Sequence, residues 1–323
     1  MKTGLVLFWG AAAMAAAAPA QTVVSSSETA VTAIGPETVL EVAVEGGYLY
    51  GYSQYEIKGD DWFWGSWKSR LKWPLDTVMT GGSARLALKD DTFEIGVSFL
   101  FNVTDDPGEL EDWDWVGGEM ISKGVVDTSL TAYLLDCSAY WNMVKKERFT
   151  LGLGLGFAWQ HFSWDGEGEL TQTEYDCAFN RYYGITPGTY RYPDAEWITY
   201  KIDYYLPYLG VKGSYRFDPR LEADAYGKLL LLIARDEDDH VQRMKKSNAD
   251  YYGAGMEYGV EGIFRPAPWA RIALSLKATF LSGSGDQDQE FYGGIYEGEK
   301  YSNIDAETTS IQWYAGLRAG VVF

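Results

Sequence analysis

The chain has 323 residues, of which 46% are hydrophobic and 16% aromatic, with 13 Trp, 24 Tyr and 36 Gly. Its formal net charge of -19 at pH 7 argues against nucleic acid or an anionic surface as a partner and favours cationic ones, because a field of one sign steers its opposite. Cys137 and Cys177 are the two cysteines, and Cys137 has no His close by in sequence, which speaks against a catalytic thiol.

At the start, Lys2 precedes the apolar run Gly4 to Ala17, and Ala18, Pro19 and Ala20 form a small-x-small cleavage pattern before Gln21. Residues 1–20 therefore read as a secretory signal peptide, and residues 21–323 as one exported domain. After the signal no stretch of eighteen apolar residues is free of charge, so no spanning helix is expected, and an exported chain of this kind is soluble or a barrel.

Alternation with period two recurs along the rest of the chain. Phe93, Ile95, Val97, Phe99 and Phe101 alternate with Glu94, Gly96, Ser98, Leu100 and Asn102, and Leu151, Leu153, Leu155, Phe157 and Trp159 alternate with small or polar residues. Each apolar set is one face of a strand. The last residues repeat the pattern: Ile311, Trp313, Ala315, Leu317, Ala319, Val321 and Phe323 share a face, opposite Gln312, Tyr314 and Arg318, as in a strand with lipid outside and a polar lumen inside.

Extended along the chain, this reading gives ten antiparallel strands, near 38–56, 67–88, 92–104, 128–143, 149–166, 199–217, 221–236, 250–264, 270–282 and 307–323. Short turns near 89–91, 145–148, 218–220 and 265–269 alternate with links near 57–66, 105–127, 167–198, 237–249 and 283–306 that are mostly long. Short periplasmic turns and long external loops are the pattern of an all-β transmembrane barrel. Several strands exceed the roughly ten residues that cross a bilayer and should project above it, and ten strands enclose too little space for a wide pore. The alternation places Cys137 on the lipid face and Cys177 in a long loop, which disfavours a disulfide between them. Trp73, Trp141, Trp164, Trp269 and Trp313 fall near strand ends and read as interfacial girdle residues.

Histidine is scarce: His161 and His240 are the only two. His240 ends the run RDEDDH (Arg235 to His240), where Asp238 is placed to orient the imidazole and raise its basicity, as a general base for water requires. In the second long link, ELEDWDW (Glu109 to Trp115) sets Asp112 and Asp114 on one side of an extended segment. Carboxylates so close resist full ionisation and can share a proton or hold a water. Taken singly, each cluster also fits solvated acidic surface, and the pair of clusters could equally bind a cation such as calcium.

The strand map, SRLKWPL (Ser69 to Leu75), the DxDW of Asp112 to Trp115, YLPYLGVKGSYRF (Tyr205 to Phe217) and the DDH of Asp238 to His240 together resemble the omptin family of outer-membrane, aspartic-type endopeptidases. The resemblance runs over essentially the whole mature chain. It implies catalysis by water held between an Asp–Asp pair, here Asp112 and Asp114, and an Asp–His pair, here Asp238 and His240. It also implies that Asp236 receives a basic side chain of the substrate, so that peptides or proteins are cut next to basic residues. No metal or organic cofactor is implied, and a monomer in contact with outer-membrane lipid is expected. Two departures stand out. The family's Ser-x-His element has no His here, since the matching stretch is ISKGVVDT (Ile121 to Thr128), with Ser122 and Lys123 available. Lipopolysaccharide, which the family needs for activity, is left open, because His161 stands where the family has Arg. Glu56 is the acid nearest to the family's acidic partner on the first strand, without matching it. The alternative is a non-catalytic barrel serving as an adhesin or binding protein, with a structural or narrow-pore role third.

Overall fold

The computed structural model describes residues 38–61, 63–88 and 91–323; the signal peptide assigned to residues 1–20 lies outside them. The strands are β1 (Thr38–Asp61), β2 (Gly65–Pro74), β3 (Thr77–Leu88), β4 (Phe93–Asn102), β5 (Gly108–Val116), β6 (Glu119–Lys145), β7 (Phe149–Glu174), β8 (Gly188–Arg216), β9 (Leu221–His240), β10 (Lys245–Ala267), β11 (Ala270–Phe291) and β12 (Lys300–Val322). Among the described residues one short α-helix, α1 (Ala178–Tyr182), is present, between β7 and β8. No described helix is long and apolar enough to cross a membrane.

All pairings are antiparallel, and β12 closes on β1 with Val322 opposite Glu41 and Asp305 opposite Lys58. The twelve strands still make a barrel of ten. The lower half of β1 pairs with β3, which pairs with β4, which pairs with β6; the upper half of β1 pairs with β2, which pairs with β5, which pairs with the upper part of β6. Thus β2–β3 is the expected strand 67–88 broken once, and β5 continues the line of the expected strand 92–104, seen as β4, after a second break. The break after Pro74 follows from proline's missing N–H and fixed φ, which end a ladder.

The hairpins on the far side are long, as expected, but most of their length is strand. β5 lies wholly inside the expected 105–127 link, and β9 and β10 meet across 241–244. The Gly117–Gly118 turn between β5 and β6 has φ of 59° and 83°, a tight hairpin turn in which both central residues need positive φ.

The outward face marks the membrane's upper edge. Leu229, Leu231 and Ile233 of β9 are exposed, and the next outward residues are Arg235, Glu237 and Asp239. Arg235 pairs there with Asp250 of β10 at 2.8 Å, one rung above the Ile233–Tyr252 pair. Trp141, Trp269 and Trp313 are 52%, 63% and 50% exposed on the outside, where girdle residues belong. Trp73 and Trp164 correct the expectation: both are 0% exposed and face inward, on the opposite parity of their strands. Cys137 is exposed on the outer face, Cys177 is buried and its Sγ accepts from the Asn180 N–H at the start of α1, and both are free thiols.

Inside the lower barrel the charges pair directly. Lys228 bridges Asp136 at 2.6 Å and Glu257 at 2.9 Å, Lys212 meets Glu94 at 2.7 Å, and Arg271 meets Glu41 at 2.6 Å. These charged groups line a cavity of about 220 Å³. Removing one partner strands buried charge on the others, so Lys228→Met should lower stability by about 3–5 kcal/mol, measured by denaturant unfolding in detergent.

Candidate active site above the membrane

The inward residues at the top of β9 are Asp236, Asp238 and His240, all buried, with exposures of 0%, 2% and 6%. Strand alternation alone brings them to one face. His240 Nε2 lies 3.1 Å from Asp238 Oδ2. The neutral imidazole therefore donates Nε2–H to the carboxylate and keeps Nδ1 as an acceptor. Burial lowers the His240 pKa below 6.5, against the upward pull of Asp238. Burial raises the Asp238 carboxyl, but His240, Lys245 and the Tyr55 hydroxyl outweigh it and hold the group below its usual value.

Tyr55, on the inward face of β1, donates its hydroxyl to Asp238 Oδ2 at 2.5 Å. Burial first, then the Asp238 charge, raises its pKa well above 10, so it stays a donor. Asp112 also acts on Tyr55 and feels Asp238, so the β5 and β9 acids lie within electrostatic reach of one another.

On β5, Asp112 and Asp114 alternate inward while Glu111, Trp113 and Trp115 face out. The outward rings carry cations: Lys68 sits 4.4 Å from the Trp115 centroid and Lys123 5.2 Å from that of Trp113. Burial, then the Asp114 charge, pushes the Asp112 carboxyl up to about 8. A group with that pKa is mostly protonated at pH 7 and can donate a hydrogen bond. Asp114 Oδ2 accepts from the Ser122 hydroxyl at 2.9 Å across the β5–β6 ladder, so Ser122 supports this pair. Oδ1 of Asp112 and Oδ1 of Asp238 are cut off from solvent and have no hydrogen-bond partner among the described residues. Both oxygens retain acceptor capacity for a polar group entering from above.

Asp236 lies one rung deeper. Its Oδ2 accepts from Tyr251 at 2.8 Å and Tyr200 at 3.1 Å, and its Oδ1 accepts from the Ala249 N–H at 2.8 Å. Burial raises its pKa to about 7 despite these donors. Tyr200 stacks on Trp73, with centroids 5.2 Å apart and planes 11° apart, and packs against Tyr55 and Trp164. Trp164 Nε1 donates to the Pro74 carbonyl at 2.7 Å. This aromatic layer is the floor of the site and separates it from the charged lumen. The two tryptophans read as girdle residues thus support the site from beneath.

Glu56 points outward and is held by Arg70 at 2.7 Å, which separates it from the site. His161 lies on the outer wall, with Nδ1 2.9 Å from Asp203 and its ring stacked on Tyr133 and Trp159. Trp62 is outside the described residues, but its neighbours Phe63 and Trp64 pack on Phe179, Tyr182 and Tyr183 around α1, joining two external hairpins. The residues that sequence reasoning missed are Tyr55, Tyr200, Tyr251 and Lys245. For Tyr55 a signal existed, since it shares the inward parity of Ser53 and Ile57. Among the described residues no group of three His, Cys, Asp or Glu side chains is arranged to hold a metal ion.

A family model described as the Omptin family matches residues 38–282, most of the chain and all the site residues named above. The chain belongs to the Omptin family. Its fold superposes on the crystal structure of the outer membrane protease OmpT from Escherichia coli with a TM-score of 0.73, at 17% identity, covering 87% of this chain and 96% of that one. The attachment invasion locus protein Ail of Yersinia pestis aligns at 10% identity over 88% of this chain and 98% of that one, with a TM-score of only 0.26. The toluene transporter TodX of P. putida aligns at 7% identity over 89% and 90%, with a TM-score of 0.32. Overlaps that loose bear no weight. No curated protein sequence matches the chain. This omptin is an outer-membrane β-barrel with its acidic site raised above the apolar band.

Proposed function

We propose that this omptin is an endopeptidase of the outer membrane, cutting peptide bonds next to basic residues with a water activated between Asp238–His240 and Asp112–Asp114. The observation that carries the reading is the hydrogen-bonded chain Tyr55–Asp238–His240, buried on the same rim as a carboxyl pair of which one member keeps its proton at neutral pH. A hydrolytic water needs a base and an electrostatic partner for the charge that develops. His240 Nδ1 takes a proton from the water as its oxygen bonds to the carbonyl carbon, and Asp238 balances the imidazolium. The carbonyl electron pair moves to oxygen, and the Asp112–Asp114 pair positions the water and steadies the tetrahedral intermediate. Collapse restores the carbonyl, breaks the C–N bond and returns the imidazolium proton to the departing amine.

The preference for basic residues rests on the net charge of -19 and on Asp236. A guanidinium arriving there would take the place of a tyrosine hydroxyl and hold the carboxylate ionised, drawing its pKa below about 7. Asp236→Asn should therefore reduce the selectivity for Arg over norleucine by about tenfold or more, the scale of one charge-assisted hydrogen bond, and leave cleavage of the norleucine peptide nearly unchanged. Equal loss on both peptides would remove Asp236 from recognition. The overall reading is tested with a fluorogenic peptide carrying two adjacent Arg residues, with and without lipopolysaccharide.

A further inference from the structure

Resting on that reading, we propose that Lys245 is a further catalytic residue of this omptin, an ammonium that stabilises the oxyanion formed when water adds to the scissile carbonyl. Lys245 is the first residue of β10 and the ladder partner of His240. Directly opposed residues of an antiparallel pair have Cβ atoms about 4.5–5.5 Å apart and point to the same face, so both enter the site together. The turn that sets this register is a 3₁₀ turn over Val241–Arg243 followed by Met244 at φ 51°, a left-handed conformation that a side-chain-bearing residue adopts at some strain. The strain falls on the residue immediately before Lys245, where it reverses the chain and aims the lysine inward.

The partners of Lys245 distinguish it from the structural lysines. In the lumen, Lys212 and Lys228 each touch carboxylates at 2.9 Å or less, as buried ammonium groups must if they only hold the barrel together. Lys245 is only 9% exposed, yet no carboxylate lies within ion-pair distance of it among the described residues. It nonetheless feels Asp238, Asp112 and Asp114, with Arg243 and His240 opposing. The ammonium, buried beside His240 in the ladder, is thus within electrostatic reach of both catalytic pairs and in contact with neither. A carbonyl oxygen that has gained negative charge between those pairs meets an unneutralised cation in a place shielded from water. Burial lowers the Lys245 pKa, and the three carboxylates work to keep its proton on.

The test compares wild type, Lys245→Met and Lys245→Arg refolded in the same detergent and lipopolysaccharide. Loss of one oxyanion donor should lower kcat by about 10²–10³-fold in Lys245→Met with KM within a few-fold, and Lys245→Arg should recover most of it. A merely structural lysine would not discriminate between inhibitors. A phosphinic pseudopeptide carrying the tetrahedral oxyanion should lose about 10²-fold in affinity for Lys245→Met. The matched reduced-bond peptide, whose CH2–NH replaces the carbonyl, should bind both proteins alike. Equal turnover by wild type and Lys245→Met, or an equal change in both inhibitors, overturns the role of Lys245 and leaves the endopeptidase reading standing. No turnover by wild type overturns both.

Discussion

Replacing His240 by Ala lowers kcat on a dibasic peptide by about 10³–10⁴-fold, the range expected when a general base is removed from a preorganised water. Asp112→Asn lowers it by a similar amount. The double variant loses little more than either single one, because residues acting on the same water are not additive. The reason lies in the shared geometry. His240 can take the proton only from a water that the β5 carboxyls hold, and those carboxyls accomplish little once the base is gone. Asp112→Asn is nearly isosteric and replaces a carboxyl that burial already keeps protonated, so the folded barrel should survive it. Circular dichroism and heat-modifiable electrophoretic mobility check that both variants fold.

The second large effect is the pH dependence of kcat/KM. His240 acts as a base only when neutral, and burial sets its pKa below 6.5, so activity falls about tenfold per unit below that lowered value and not at the ordinary one. Asp112 carries its proton up to about pH 8, and deprotonation places a second charge beside Asp114 where the oxyanion must form. The profile is therefore bell-shaped, with a plateau that begins below pH 6.5 and an alkaline limb near 8. Asp236 also titrates, near 7, but in substrate binding. A peptide with norleucine in place of Arg removes that contribution. With such a peptide, an alkaline limb still present in Asp112→Asn would assign it to another group.

Legibility in the sequence followed the solvent. Where the wall faces lipid, the alternation of Phe93 to Phe101 or of Ile311 to Phe323 is strict, because only one face tolerates polar groups, and ten strands with their closure on β1 could be read. Above the membrane both faces are wet and the contrast disappears. β5 carries Asp112 and Asp114 inward and Trp113 and Trp115 outward, with Lys68 and Lys123 over the rings, so its pattern is reversed in polarity and reads as a link. The acids themselves were still recognisable, because their spacing of two keeps them on one face whether the segment is a strand or an extended loop. Tyr55, Tyr200 and Tyr251 were overlooked for a different reason: a tyrosine near a strand end looks like a girdle residue, and only the register turns its hydroxyl toward Asp238 or Asp236. Lys245 was hidden by Met244, whose left-handed conformation no residue type there announces. Trp73 and Trp164 show the converse, for their parity pointed inward and their chemistry pointed outward, and parity prevailed.

The central claim is that the rim of this barrel hydrolyses peptides. Its most direct test is the rate of cleavage of a fluorogenic peptide with two adjacent Arg residues by refolded wild type and by His240→Ala, each with and without lipopolysaccharide. Wild type should turn over in at least one condition, at about 10³-fold or more above His240→Ala. Wild type no faster than His240→Ala in both conditions would contradict the account and leave a barrel that keeps the frame of an omptin without its chemistry.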